Sequence, residues 1–376
     1  MIARKRTLLP LSLSLFLLSA CLEVAEERAV RELMIGKAQK EGITFEVVDG
    51  LASIRQLEYE GDTLRLWLWS QAPRFELKLS KIDHSRFRTI EIKLSNIMSE
   101  SVLSLSTAER SDEAELVFES PTVAQTSVEL FEDEYHFTLH PPSPDPDRTW
   151  RFALFADVQE RLDGVADLLG PLGKERGVRF ALISGDLTER GSLDQLLTFQ
   201  DQMIRHLPFP CYATLGNHEL GTAGVPFHSL FGRGTFSFAY GDARFSLLDG
   251  ASATIASSSR KNLSRWLKLA KDKLHIFATH IPIIDPDGTR GGAFASRLES
   301  ASLLDELRIH NVDLLLYGHV HTYRYFYQAG IPAIISGGGG SIPMRFDGIG
   351  RHYIVFEIDE TRSEITHRVA RIYPAD

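Results

Sequence analysis

Val178-Arg179-Phe180-Ala181-Leu182-Ile183-Ser184-Gly185-Asp186 is a short apolar run that ends at once in a glycine and a carboxylate. An almost unbroken apolar run bounded by a turn residue reads as a strand covered on both faces. The same grammar recurs on either side. Residues 152–156 lead into Asp157-Val158-Gln159, and residues 211–215 into Gly216-Asn217-His218-Glu219. Residues 274–278 lead into Thr279-His280, and residues 312–317 into Gly318-His319-Val320-His321. A further apolar run lies at 245–248, and helix-like stretches at 193–206, 263–271 and 298–310 fall between the runs. Strands alternating with helices predict an α/β domain from about residue 151 to 376. In such sheets ligand sites form at the carboxyl ends of the strands. Five strands therefore deliver Asp, Asn or His to one edge.

A Gly-Asp pair alone is common and says little. Five blocks in order, each closing an apolar run, carry far more. Carboxylate oxygens, an amide oxygen and imidazoles suit divalent first-row metals rather than a soft thiolate site. The adjoining glycines permit tight turns and close backbone approach.

These blocks resemble the calcineurin-like metallophosphoesterases, whose pattern is D-x-H, GD, GNH[ED], a lone His and GHxH. Residues 231–232, 236–241 and 245–249, with His280-Ile281-Pro282, are similar to the acid-phosphatase and cyclic-nucleotide-phosphodiesterase branches. The resemblance implies a four-layer α/β/β/α sandwich with a two-metal site holding Mn, Fe or Zn. It implies that Asp186 bridges both ions, that Asp157 and His321 bind the first, and that Asn217, His280 and His319 bind the second. It gives His218 a place beside the scissile ester as proton donor. The implied reaction is hydrolysis of a phosphomonoester or phosphodiester by a hydroxide shared between the cations, because two cations polarise the phosphoryl group and acidify bound water.

Two positions depart from the pattern. Gln159 stands where the family has His. Its neutral oxygen ligates zinc or iron more weakly and tilts preference toward Mn²⁺ or Mg²⁺. Three readings stay open: Gln159 ligates, it lies behind the ligands with water completing the ion, or the first site is empty. Glu189 stands where purple acid phosphatases carry an iron-binding Tyr, so no iron–tyrosinate colour is expected. Arg290, Arg297 and Arg324 lie in or near loops that follow the blocks and are candidates to clamp a phosphate. Residues 337–340 are four glycines without the Lys-Ser/Thr of a nucleotide P-loop. They either let backbone pass close to the site or simply make a flexible loop.

Upstream the grammar changes. From 43 to 140 apolar residues alternate with polar ones, as in Leu64, Leu66, Leu68 and in Tyr135, Phe137, Leu139. Several such short runs predict a small all-β sandwich. Its histidines, His84, His136 and His140, are scattered without ligand spacing. Pro141-Pro142-Ser143-Pro144-Asp145-Pro146 predicts a stiff linker over 141–150. Residues 21–42 are charged with scattered apolar positions and are expected to form a short helix or a tether.

At the N-terminus Arg4, Lys5 and Arg6 precede an apolar run of residues 8–18 that is too short to cross a bilayer, which takes about twenty residues. Basic, then apolar, then small is the order of a secretory signal. Leu18-Ser19-Ala20-Cys21 resembles the lipobox of bacterial lipoproteins, implying cleavage after residue 20 and a lipid on Cys21. Leu22 in place of Asp favours the periplasmic face of the outer membrane. The other cysteine, Cys211, sits in an apolar run and is expected to be an inert buried thiol.

The 376 residues are 43% hydrophobic and 24% charged, which excludes a disordered chain, a collagen and a multi-pass membrane protein. The net charge is −9, and −12 once Arg4, Lys5 and Arg6 are lost with the signal. That charge, with no basic cluster, opposes nucleic acid as a partner and so a nuclease activity. The leading expectation is a membrane-anchored phosphoesterase. The alternative is a binding or scaffold lipoprotein with a degenerate esterase domain, and metal content separates the two.

Overall fold

The computed structural model describes residues 24–145, 149–289 and 291–373. The signal sequence, Cys21, part of the linker and Arg290 lie outside them. No helix among the described residues is long and apolar enough to cross a membrane.

The C-terminal domain is built on two sheets. One has five strands in the order Cys211–Thr214, Val178–Ser184, Trp150–Phe155, His352–Asp359, Glu364–Arg371. The other has six, in the order Phe236–Tyr240, Ala243–Leu248, Leu274–Thr279, Leu314–Tyr317, Ile331–Ser336, Tyr323–Gln328. The first three strands of the five-stranded sheet are parallel, as are the four inner strands of the other. Alternate residues serve opposite faces. Phe152 and Leu154 enter the layer between the sheets, where Phe152 stacks on Phe356 at 4.6 Å, while Ala153 and Phe155 enter the layer beneath the helices. Helices Ala166–Leu172 and Leu193–His206 cover the five-stranded sheet, and Ser257–Leu269 and Arg297–Ile309 cover the six-stranded one. The result is four layers, α/β/β/α. Parallel strands carry their carboxyl ends to one edge, and both sheets contribute to it.

Before this domain lies a β-rich unit of two packed sheets. Its six-stranded sheet runs Lys37–Lys40, Ile43–Val47, Phe75–Ser80, Glu134–His140, Val102–Ser106, Ser111–Ala114. Its five-stranded sheet runs Ala52–Glu60, Thr63–Ser70, Thr89–Ser95, Val123–Glu129, Val117–Ser120. Phe45, Leu66, Leu77, Ile92 and Phe137 fill the space between them. Two amides join this unit to the C-terminal domain. Asn96 donates to Cys211 O at 2.7 Å and accepts from Cys211 N at 2.8 Å, and Gln71 exchanges two bonds with the Arg233 backbone at 2.7 Å each. Each amide imitates a neighbouring strand. Cys211 itself is a buried free thiol, its pKa pushed up by burial.

Of the two expectations for 21–42, a short helix or a tether, the described part takes the helix, and only the boundary of the sheet is corrected. Ala25–Glu32 is a helix, and Lys37–Lys40 pairs with Ile43–Val47, so the sheet starts six residues before the expected boundary. The reason is electrostatic. Arg28 is fully buried and reaches Asp249 with two bonds, Nε to Oδ2 at 2.6 Å and Nη2 to Oδ1 at 3.0 Å. Glu32 accepts from Gly234 N at 2.6 Å and Thr235 N at 3.2 Å. Charges that read as a solvated face are anchors. The linker's end is corrected too, since Trp150 is already strand and buried between the sheets.

Removing one partner of a buried pair strands the other, at about 3–5 kcal/mol. Arg28→Ala is expected to lower stability by about that amount in chemical denaturation, whereas Glu27→Ala, at an exposed position of the same helix, changes it by under about 1 kcal/mol.

Candidate metal centre

The two sheets meet at Asp186. It follows strand Val178–Ser184 and is buried, and its Oδ1 accepts from His218 N at 2.9 Å. Around its Oδ2 stand Gln159 Nε2 at 2.7 Å, His280 Nε2 at 3.3 Å and His218 Nε2 at 3.9 Å. Asp186, His280 and His319 bring one donor atom each within 4.8 Å of one another. Asn217 Oδ1 lies 3.0 Å from His280 Nε2. On the other side, Asp157 Oδ1 lies 3.5 Å from His321 Nε2, which lies 3.3 Å from Gln159 Nε2. The structure thus gathers all eight residues drawn from the five sequence blocks.

The imidazoles are aimed by the backbone. His218 Nδ1 donates to Glu189 O at 2.6 Å, His280 Nδ1 to Ser184 O at 2.7 Å, and His321 Nδ1 to Ile342 O at 2.9 Å. His319 uses Nε2, on Gly291 O at 2.8 Å. Each ring keeps its other nitrogen free of the backbone, and such carbonyl bonds fix tautomer and orientation of metal-binding histidines.

The loops are strained where the candidate ligands sit. Asp157, Gln159, Asp186 and His319 all have positive φ, at 61°, 44°, 52° and 69°. Side-chain-bearing residues there cost about 1–3 kcal/mol each and persist only when the surroundings impose them. Close backbone approach supplies part of that imposition. A Cβ on Gly216 would lie 2.1 Å from Asp186 Oδ1, and one on Gly339 would lie 2.3 Å from Ala156 O. This decides between the two readings of the 337–340 run. Gly339 N donates to Ala156 O at 2.9 Å and Ser341 N to Asp157 O at 3.0 Å, so the run packs backbone against the Asp157 loop.

Sequence reasoning gave no role to Glu219, the last letter of its block. The side chain is fully buried, and its carboxylate accepts from Asp186 N and Gly216 N at 2.9 Å, Leu187 N at 2.9 Å and Thr188 N at 3.3 Å. One side chain thus holds two ligand loops together. Burial, with Asp186 nearby, pushes its pKa up to about 7, against the pull of those N–H groups.

The electrostatics centre on Asp186. Burial works to raise its pKa, but His280 and His218 outweigh that and hold it well below the usual carboxylate range. Burial works to lower the pKa of His280, but Asp186, Asp157 and the Ser184 carbonyl override it and push it up to about 9. Burial, reinforced by His280, lowers that of His319. For His321 burial is outweighed by Asp157, and the pKa rises.

Among the arginine candidates, Arg324 is engaged. Its Nε bonds Asp287 at 2.9 Å and 3.2 Å, and its guanidinium lies over the Phe346 ring at 5.3 Å. Arg297 is exposed at the start of its helix and makes no hydrogen bond or ion pair among the described residues. The structure brings neither to the cluster, and Arg290 lies outside the described residues.

Residues 151–323 match the family model for the calcineurin-like phosphoesterases. The chain carries a calcineurin-like phosphoesterase domain. No curated protein matches the sequence. Among solved structures, a purple acid phosphatase from yellow lupin (Lupinus luteus) seeds is similar at 15% identity and a TM-score of 0.53, over 80% of this chain and 70% of that one. PhoD is similar at 12% identity and a TM-score of 0.44, over 80% and 88%. At 15% identity the lupin likeness is one of fold.

The donor set of this phosphoesterase domain fits the family's divalent ions. Asp157 Oδ1 is buried without a hydrogen-bond partner, and oxygen and imidazole donors converge beside it. Two outcomes follow. Glu219→Gln keeps the shape but loses an acceptor oxygen, and is expected to weaken Mn²⁺ binding about 10–100-fold by calorimetry with the circular dichroism spectrum unchanged. His280 must give up its proton before Nε2 can ligate. Since that proton is held up to about pH 9, Mn²⁺ affinity is expected to fall up to about tenfold per unit as pH drops from 9 to 7, with proton release visible as buffer-dependent heat.

Proposed function

We propose that this chain is a metal-dependent phosphoesterase, anchored through Cys21 in a bacterial cell envelope at the periplasmic face of the outer membrane. One observation carries the catalytic part: four backbone-aimed imidazoles surround two buried carboxylates, and three of the four, His218, His319 and His321, are partly exposed. Asp186, with Asn217, His280 and His319, would hold one cation, and Asp157, Gln159 and His321, again with Asp186, a second. Bound there, the pair would polarise the phosphoryl group, activate water and spread the developing charge.

The chain's own residues supply the rest. The His218 side chain is 28% exposed, so a substrate can touch it. Its Nδ1–H is spent on Glu189 O, so the mobile proton is the one on Nε2. As water attacks phosphorus and the ester P–O bond breaks, that proton passes to the leaving oxygen. Glu219 keeps Asp186 and Asn217 in register by holding their loops, and the 337–340 glycines do the same for Asp157. The oriented histidines weigh against the alternative of a degenerate scaffold, since a decayed site has no reason to keep four aimed rings.

Envelope anchoring rests on the sequence at 4–21. The leaving group, and the choice between monoester and diester, rest on loops that carry no aimed side chain here.

His218→Ala is expected to lower kcat about 10²–10⁴-fold on p-nitrophenyl phosphate or its bis-ester while two Mn²⁺ still bind per chain. Metal-loaded protein that hydrolyses neither ester would overturn the reading, as would a chain that takes up no metal.

A further inference from the structure

The β-rich unit and the phosphoesterase domain meet across a cleft of two lobes, each of about 300 Å³. The lobes share Asp49, Leu51, Ser237, Arg265 and Trp266. Arg244 lines one lobe and Arg233 the other. The carboxylates that line the cleft already face other cations: Asp49 faces Arg265 at 3.8 Å, Glu46 faces Lys37 at 3.8 Å, and Glu76 bonds Arg74 at 2.8 Å.

Arg233 and Arg244 are left over. Both are half-buried, and the Nε of each is buried without a hydrogen-bond partner. The Arg233 guanidinium makes no hydrogen bond or ion pair among the described residues, and Glu32 and Asp49 act on it only through space. Arg244 makes one bond, Nη1 to Ser237 Oγ at 3.1 Å. Arg233 lies flat against Gly50, at φ 63°, where a Cβ would come within 2.2 Å of its Cζ. The β-rich unit thus packs a bare backbone against the charge and offers it no acceptor.

Unpaired half-buried guanidinium groups are costly. That is unexpected in a chain whose net charge is −9 and which has carboxylates to spare. A planar fork of donors matches carboxylate and phosphate alike. A carboxylate is filled by one bidentate arginine, whereas a phosphate dianion has oxygens and charge for more than one. With two guanidinium groups that face no carboxylate, and Arg265 on the shared wall held only at 3.8 Å, the dianion is the better match. We propose that this cleft is a binding site for a small phosphate dianion, either inorganic phosphate or the phosphoryl group of a small phosphorylated molecule. Arg233 and Arg244 are its ligands, and its occupation clamps the two units together. The site is separate from the metal centre and shares no residue with it.

The test uses the full chain stripped of metal, titrated by calorimetry with inorganic phosphate, glycerol 3-phosphate and acetate. One saturable site is expected for phosphate, with acetate at least tenfold weaker. Tighter binding of glycerol 3-phosphate would assign the site to an esterified ligand, and tighter binding of phosphate to the free ion. At ten times its Kd the ligand should raise the unfolding midpoint by about 2 °C. Arg233→Gln/Arg244→Gln should weaken binding at least tenfold, keep the midpoint in chloride as high as the parent's or higher, and leave Mn²⁺-loaded ester hydrolysis unchanged. If the pair fails to fold, each single variant is held to the same tenfold criterion. The proposal is overturned if no saturable binding occurs, if the arginine variants bind as the parent does, or if binding is lost in His280→Ala instead.

Discussion

Three carboxylates, Asp157, Asp186 and Glu219, are buried on one edge of the phosphoesterase domain, and everything around them answers that concentration of charge. Buried anions demand donors or cations. Glu219 takes four backbone N–H groups, and Asp157 Oδ2 and Asp186 Oδ1 take one each, from His319 and His218. Asp157 Oδ1 and Asp186 Oδ2 face the ring nitrogens of His321, His280 and His218. The positive φ angles at Asp157, Gln159, Asp186 and His319 are the geometric cost of turning so many polar groups inward from strand ends.

The same constraint explains what was legible in the sequence. A ligand placed directly after a buried strand is fixed by that strand's register, so the five blocks could be read without knowing the fold's details. Glu219 stood in plain view in one of them, but its task is to bind backbone N–H groups, and nothing in the side-chain pattern announces that. Arg28 and Glu32 were illegible for a different reason. A charged helix facing solvent and one facing Asp249 have the same periodicity, and only the partner, 221 residues away, tells them apart. Arg324 shows the converse: its position after His321 suited a substrate clamp, but Asp287 on a neighbouring loop had the prior claim.

Gln159 illustrates how chemistry can survive a departure from the family pattern. Its amide contacts both Asp186 and His321, so it lies between the two halves of the cluster. Amide nitrogen and oxygen exchange places by a half-turn of the side chain with no movement of the backbone. The position can therefore donate to Asp186 or offer a neutral oxygen to a cation. An imidazole there would offer a stronger donor to soft ions, so the substitution favours harder ones while keeping the hydrogen bonds that hold the loop.

The interface between the two units divides into a part that is complete and a part that is not. Asn96 and Gln71 extend edge backbone with amide pairs in which every donor meets an acceptor, and this part would hold the units together without assistance. At the Gln71 contact itself, the side chain of Arg233 has no such partner, although its own backbone N–H and C=O are both satisfied by Gln71. One residue is thus fixed by its main chain and left open at its guanidinium. A surface selected only for docking would replace such a side chain with an apolar one at no cost, since unpaired buried charge is destabilising and a hydrophobic substitute is not. The binding proposed for the cleft gives this open guanidinium the partner that the packing of the two units does not supply.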